Sequence, residues 1–325
     1  MATRVFSGAR PTGRQHIGNY FGHIKNLIAL QDQYDEVIDC VVDLHALTTL
    51  ESTATLQEDI YDMVLDWLAA GVDPEKSMVM VQSHVPEITE LHLLLSMVTP
   101  LNWLLRVPTF KEKVRMHPEN VNYGLVGYPV LMTGDIVLYK AGVVPVGEDQ
   151  LPHLELAREI ARRFNSLFGE VFPEPQAKLT EFPLIVGLDG TSKMSKSADN
   201  HIEVAASPDD IRKKIAGAFT DPQRVRKSDP GRPEVCNIYS LRRIFTPDKV
   251  EEVATACRGA TMGCVQCKKE LAEGMVEYFG PFRERREALA QKPAYLREVV
   301  HDGAARASVI ARATLDEVKS VMNLK

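Results

Sequence analysis

Arg4-Val5-Phe6-Ser7-Gly8-Ala9-Arg10-Pro11-Thr12-Gly13, closed by His16-Ile17-Gly18-Asn19, is a short β-like run, a loop punctuated by glycine and proline, and the start of a helix. The helical pattern runs on through Tyr34, with Tyr20, Ile24, Leu27 and Ile28 at apolar spacing. A strand that turns into a helix presents unpaired backbone N–H groups and a partial positive charge to an anion. Gly18 carries no side chain to hold a phosphate or a base off the backbone, and His16 and Asn19 are donors beside it. The competing reading is that His16 and Asn19 cap the helix and Gly18 makes a turn. A Walker loop is excluded, because no Gly-Lys-Ser/Thr follows at the needed distance.

Working outward, further strands are expected at Val37–Val42, Met78–Gln82, Val143–Gly147 and Leu184–Val186. Helices are expected over 55–70, 91–98 and 150–168, the first stopping at Gly71. Strands alternating with helices predict an α/β fold: a Rossmann-like parallel sheet joined by right-handed crossovers. Ligands of such sheets sit at the carboxyl ends of the strands. Beyond residue 203 the pattern shows helices over 209–219, 249–257, 266–278 and 306–322. The expected division is therefore an α/β catalytic domain over 1–190 and a mostly helical part over 191–302, with the C-terminal helix, about 303–325, packing back on the first.

At the junction lies Lys193-Met194-Ser195-Lys196-Ser197. Two mobile ammonium groups three residues apart, with two small hydroxyls, suit a polyphosphate whose charge grows during reaction. A solvated basic loop is the competing reading.

Composition bounds the rest. The chain has 325 residues, 45% hydrophobic and 25% charged, enough for two domains of an ordinary globular protein. Arg4, Arg10 and Arg14 interrupt any signal-peptide pattern, and no apolar run reaches a membrane span, so the expected compartment is the cytoplasm. The net charge of −6 is uneven. Residues 1–202 hold 16 Lys and Arg against 26 Asp and Glu, whereas residues 203–325 hold 22 against 18. The mildly basic C-terminal part suits a polyanion as well as it suits solvent.

His16-Ile17-Gly18-Asn19 and Lys193-Met194-Ser195-Lys196-Ser197, in this order around a nucleotide-type sheet, resemble the paired motifs of class I aminoacyl-tRNA synthetases. The first departs from the family's His-Ile-Gly-His in its last residue; the second matches in full. Val42-Asp43-Leu44-His45-Ala46, Phe110-Lys111-Glu112-Lys113, Leu131–Ile136 and Pro145–Gln150 resemble the tryptophanyl-tRNA synthetase family, and the likeness extends into Asn237-Ile238-Tyr239.

The resemblance implies a two-step reaction. The carboxylate of L-tryptophan attacks the α-phosphate of ATP, and the terminal ribose of tRNA(Trp) then takes the acyl group. The implied catalytic residues are His16, Lys193 and Lys196, with Mg2+ on the phosphates. The implied ATP site is Arg10, Pro11, Thr12, Gly18, Asn19, Gly147, Glu148, Asp149 and Leu184, with Lys193, Met194, Ser195, Lys196 and Ser197. Relatives often have Gln where this chain has Arg10. Lys111 is a further phosphate candidate. Asp135 is implied as the acceptor of the indole N–H, Met132, Tyr128, Val144 and Val146 as apolar walls, and Gln150 as a contact for the ammonium. Such an acceptor rejects phenylalanine, which leaves it unpaired. A homodimer is also implied. A tyrosyl-type enzyme and a catalytically idle paralogue serving as a binding or regulatory protein are the alternatives.

Four of the five cysteines, Cys236, Cys257, Cys264 and Cys267, follow the spacing C-x20-C-x6-C-x2-C. In a reducing compartment this pattern suggests a metal, and four thiolates suit zinc or a [4Fe–4S] cluster; four unligated thiols are the competing reading. Some tryptophanyl-tRNA synthetases have a cluster at similar spacing, so the resemblance implies the cluster, with zinc second. Cys40, in an expected strand, reads as a small buried hydrophobe.

Overall fold

The computed structural model describes residues 3–107, 110, 111, 114, 115, 119, 121–179 and 185–324. These form two compact units, one of residues 1–13, 26–181 and 292–325, the other of residues 14–25 and 182–291.

The first unit is built on five strands, β1 (Arg4–Ala9), β2 (Glu36–Val41), β3 (Ser77–Val81), β4 (Val143–Val146) and β5 (Gln176–Leu179), all parallel in the order β3-β2-β1-β4-β5. Helices α1 (Lys25–Gln31), α2 (Leu56–Ala70), α3 (Glu87–Val98), α4 (Tyr123–Leu138) and α5 (Leu151–Phe168) fall between the strands, as parallel crossovers require. Alternation along the strands divides the core. Phe6, Ile38, Cys40, Met78 and Met80 join one large buried cluster, whereas Val5 and Val37 point the other way and meet Leu30. Strands β2 and β3 are buried on both faces, which is why they read as continuous apolar runs.

The fifth strand corrects the sequence expectation. Leu184 lies outside the described residues, and Val186 makes only an isolated antiparallel bridge to Lys193. Gln176–Leu179 takes the edge instead, partly exposed and too polar to be recognised by apolar pattern. Helix α4 is a second addition to the expected elements. Pro129 stands inside it and disguises the period.

The C-terminal helix, α11 (Pro293–Val321), begins well before residue 303 and covers the sheet's other edge strand, β3. Gly303 makes this possible: a Cβ there would lie 2.1 Å from the carbonyl oxygen of Val79. Ala304, Ala307 and Ala311 continue the thin face into the main core.

The second unit holds α6 (Pro208–Gly217), α7 (Asn237–Phe245), α8 (Val250–Arg258), α9 (Cys264–Tyr278) and α10 (Gly280–Ala290). It also holds residues 14–25, so the packing divides the chain differently from a cut at 190. The reason is local. Ile17 N–H donates to Ile202 O and Val204 N–H to Gln15 O, both at 2.9 Å, closing a bridge between His16 and Glu203. Tyr20 and Phe21 then enter an aromatic cluster with Phe245, Tyr278 and Phe279, over which Lys25 Nζ lies 5.5–6.0 Å from three ring centres. The backbone widens to a π-helical turn at Tyr20–Ile24, with Lys25 N–H reaching back to Tyr20 O.

Candidate active site

In the second unit, His16 precedes a single helical turn, Ile17–Asn19. Its Nδ1 accepts from Asn19 N–H at 3.2 Å, and the Asn19 side-chain oxygen accepts from His16 N–H at 3.1 Å. Both readings of the sequence therefore hold part of the truth. The pair is a reciprocal cap, and the cap assigns the imidazole proton to Nε2, leaving that nitrogen as a donor. Burial, followed by Lys196, His201 and Lys193, lowers the His16 pKa to about 4. At neutral pH this is an uncharged donor beside two ammonium groups.

Gly18 is needed where it stands. A Cβ would come within 2.9 Å of the His16 ring and 3.5 Å of the Met194 side chain. Met194 is buried under Gly18, so it anchors the lysine loop rather than reaching outward. Its N–H donates to Ile185 O at 3.0 Å, and Gly187 N–H donates to Ser192 O at 2.8 Å, forming a tight hairpin. Lys193 is exposed and Lys196 half-buried, while Ser195 and Ser197 bring their hydroxyls to 3.4 Å of each other. The two distant sequence motifs are thus joined in one unit.

In the first unit, Asp135 projects from α4 and is almost fully buried. His45 Nε2 lies 2.8 Å from its Oδ2, and Gln82 Nε2 donates to Oδ1 at 2.7 Å. Gln82 Oε1 accepts from Leu44 N–H at 3.1 Å. Asp43 holds the neighbouring turn, accepting from Ser83 N–H at 3.0 Å and Ser83 Oγ at 2.6 Å. Sequence reasoning misses His45 and Gln82 as site residues. Both follow strand ends, where the parallel-sheet rule places ligands, and that position is the available signal.

A cleft of about 200 Å³ is lined by Leu44, Leu47, His92, Gly127, Tyr128 and Leu131, among others. That is smaller than the ~300–1,000 Å³ of sites for drug-sized ligands and suits one amino-acid side chain. His92 is also within electrostatic reach of Asp135. Tyr128 shares a 2.9 Å hydrogen bond with His153 Nε2. Val144 and Val146 are buried in the main core and Met132 packs against it.

The remaining candidates are less tightly built. Arg10 is exposed and donates to Thr49 Oγ1 at 3.3 Å; Pro11 is buried and Thr12 exposed. After β4, a Cβ on Gly147 would lie 2.6 Å from Asp149 Oδ1, and Gln150 Nε2 donates to Asp149 Oδ2 at 2.7 Å. Glu148 and Asp149 are exposed, as is Lys111. Leu184, Glu112 and Lys113 lie outside the described residues.

The family whose model matches residues 1–280 is described as tRNA synthetases class I (W and Y). The chain belongs to this family. The tryptophan–tRNA ligase of Deinococcus radiodurans is 45% identical to this synthetase, over 98% of the chain and 97% of the relative. That of Thermotoga maritima is 44% identical over 99% of each. Among solved structures, the tryptophanyl-tRNA synthetase of Campylobacter jejuni, complexed with ADP and tryptophan, superposes with a TM-score of 0.91 at 34% identity, covering 99% of this chain and 100% of that one.

The cysteines of this synthetase are a separate matter. Cys264 and Cys267 occupy the first turn of α9. Cys257 lies within electrostatic reach of Cys236 and Cys264, and Cys267 within reach of Cys236 and Cys257. Arg224 Nη1 lies 3.4 Å from Cys257 Sγ, and Arg242 Nε 3.3 Å from Cys267 Sγ. Burial raises both thiol pKa values, and the arginines oppose it. All four thiols are free, and among the described residues no group of three His, Cys, Asp or Glu is arranged to hold a metal ion. The sulfurs are neighbours without forming a coordination sphere. Cys40 is fully buried in β2.

Proposed function

We propose that this synthetase activates L-tryptophan with ATP and transfers it to tRNA(Trp). The observation that carries the substrate assignment is Asp135, a buried carboxylate held by His45 and Gln82, in a family whose similar members are named tryptophan–tRNA ligases. A carboxylate oriented in this way has acceptor capacity left for an indole N–H, a contact that phenylalanine cannot make. Val144, Val146, Met132 and Tyr128 are the proposed walls, and Gln150 the proposed contact for the ammonium.

Adenylate formation asks for in-line placement of the carboxylate and stabilisation of charge on the departing pyrophosphate. Lys193 and Lys196 supply positive charge, and neutral His16 supplies an Nε2–H donor that does not add to the repulsion between them. Ser195 and Ser197 add hydroxyl donors. Arg10, Pro11, Thr12, Gly18, Asn19, Gly147, Glu148, Asp149 and Leu184 are the proposed nucleotide-binding residues. Mg2+ bound with ATP neutralises phosphate charge.

Three finer readings accompany this one. The helical part of the second unit binds the anticodon arm of tRNA. The chain works as a homodimer: Leu93 and Met97, one turn apart on α3, are 54 and 71% exposed, and Leu101 and Leu105 beyond it are 61 and 42% exposed, apolar surface suited to a second copy. Cys236, Cys257, Cys264 and Cys267 hold a [4Fe–4S] cluster, or zinc; the soft sulfur donors, their mutual proximity and the two arginines support it. Among the described residues no helix is long and apolar enough to cross a membrane, and the proposed compartment is the cytoplasm.

The test is aminoacylation. With ATP, Mg2+ and bacterial tRNA, labelled tryptophan should accumulate as an alkali-labile ester on tRNA. Absence of that product from active, folded protein would overturn the assignment.

A further inference from the structure

Asn200 is nearly fully buried, three residues beyond the lysine motif, and its side chain reaches both flanks of that motif. Its Oδ1 accepts from Ser195 N–H at 2.8 Å. Its Nδ2 donates to Asp189 Oδ2 at 2.9 Å and Ser192 Oγ at 2.8 Å, and lies 3.3 Å from Lys193 O. The backbone joins in, with Leu188 N–H donating to Asn200 O at 2.8 Å. Asp189 completes the frame by accepting from Thr191 N–H, Ser192 N–H and Ser192 Oγ. There is no slack for the amide to move toward the hairpin, since a Cβ on Gly187 would overlap it at 2.1 Å.

We infer that Asn200 is the positioning residue of the lysine loop: one amide that holds the Ser192 hydroxyl before Lys193, the Lys193 carbonyl, and the Ser195 N–H immediately before Lys196. The inference rests on the proposed role of those lysines in adenylate formation. An amide is the one side chain of this size that offers an acceptor to Ser195 N–H and donors to a carboxylate and a carbonyl together. Aspartate keeps the acceptor but sets a carboxylate against that of Asp189 and the Lys193 carbonyl. Alanine removes every side-chain bond. Either change frees the lysine backbone while leaving both ammonium groups in the chain.

The experiment compares wild type, Asn200→Ala, Asn200→Asp and the swap Asp189→Asn with Asn200→Asp. The readouts are ATP–pyrophosphate exchange, direct tryptophan binding and the rate of trypsin cleavage after Lys193 and Lys196. A misplacement of about 1 Å in a catalytic group costs on the order of 10²-fold in rate. Each single variant should lose about that much exchange kcat, keep its tryptophan affinity and be cut faster in the loop. The swap, which restores one amide facing one carboxylate but leaves a carboxylate at the Lys193 carbonyl, should recover part of the rate and the resistance. Unchanged kcat and cleavage in the single variants would overturn the inference, as would loss of tryptophan affinity in proportion to kcat. If wild type itself shows no tryptophan-dependent exchange, the activation reading falls instead. Cleavage then decides Asn200 alone, and equal rates in wild type and variants overturn its role.

Discussion

Gln82 Nε2 donates to Asp135 Oδ1 at 2.7 Å, while Gln82 Oε1 receives the N–H of Leu44 at 3.1 Å. One amide thus ties the acceptor on α4 to the backbone at the end of β2. Its consequence is orientation: with His45 on Oδ2, the carboxylate cannot rotate without breaking two buried bonds.

Gln82→Leu should therefore weaken tryptophan recognition without touching ATP. The change leaves Asp135 Oδ1 without its donor in the interior, while Leu44 N–H keeps Asp43 Oδ1 at 3.1 Å, and a hydrogen bond to a charged group contributes about 1.5–3 kcal/mol. Tryptophan KM in pyrophosphate exchange should rise roughly tenfold or more, with ATP KM unchanged. An equal rise in both constants would mean that the residue supports the fold rather than the pocket.

Lys196→Ala should slow adenylate formation far more than it weakens tryptophan binding. A charge aimed at a developing anion is worth about 10²–10³ in rate. Single-turnover adenylate formation and equilibrium tryptophan binding separate the two effects. Proportional losses in both would make the loop structural.

The pH dependence of stability has a distinct source in β2. Asp39 is fully buried, and burial raises its pKa to about 7, with the neighbouring Ser77 hydroxyl opposing. The folded state thus holds a proton that the unfolded state releases near pH 4. Asp39's contribution to stability is complete below that pH and is lost as pH rises toward 7. A carboxamide at this position would not titrate, so Asp39→Asn should gain stability over wild type as pH goes from 4 to 8, by up to a few kcal/mol. Denaturant unfolding at the two pH values measures it; a pH-independent difference would show that Asp39 titrates alike in the folded and unfolded chain.

How much of this is legible in the sequence can be judged residue by residue. Val37–Val42 and Met78–Gln82 are recognisable as strands because parallel strands bury both faces. Gln176–Leu179 is not, because an exposed edge carries no apolar demand. His16 and Lys193 are recognisable as motifs, yet nothing in their spacing shows that residues 14–25 fold with the second unit. That follows from the bridge to Glu203 and from the aromatic cluster around Tyr20, both long-range. Asp135 stands out as a lone carboxylate in an apolar stretch. His45 and Gln82 do not, since their role depends on α4 passing over two strand ends.

The cysteines give a prediction that spacing and geometry approach from opposite sides. Protein purified without oxygen should show broad visible absorption with stoichiometric iron and sulfide, and Cys267→Ser should lose it. A colourless protein containing one zinc would favour the second metal. A protein with neither, whose four thiols titrate freely, would leave the arginine-flanked sulfurs as structural.

The most direct measurement is ATP–pyrophosphate exchange with tryptophan, tyrosine and phenylalanine in parallel. Tryptophan should support exchange, tyrosine far less, and phenylalanine about as little as no amino acid, because its ring has no donor for Asp135. Exchange driven by tyrosine in preference to tryptophan, or by none of the three, would contradict the account.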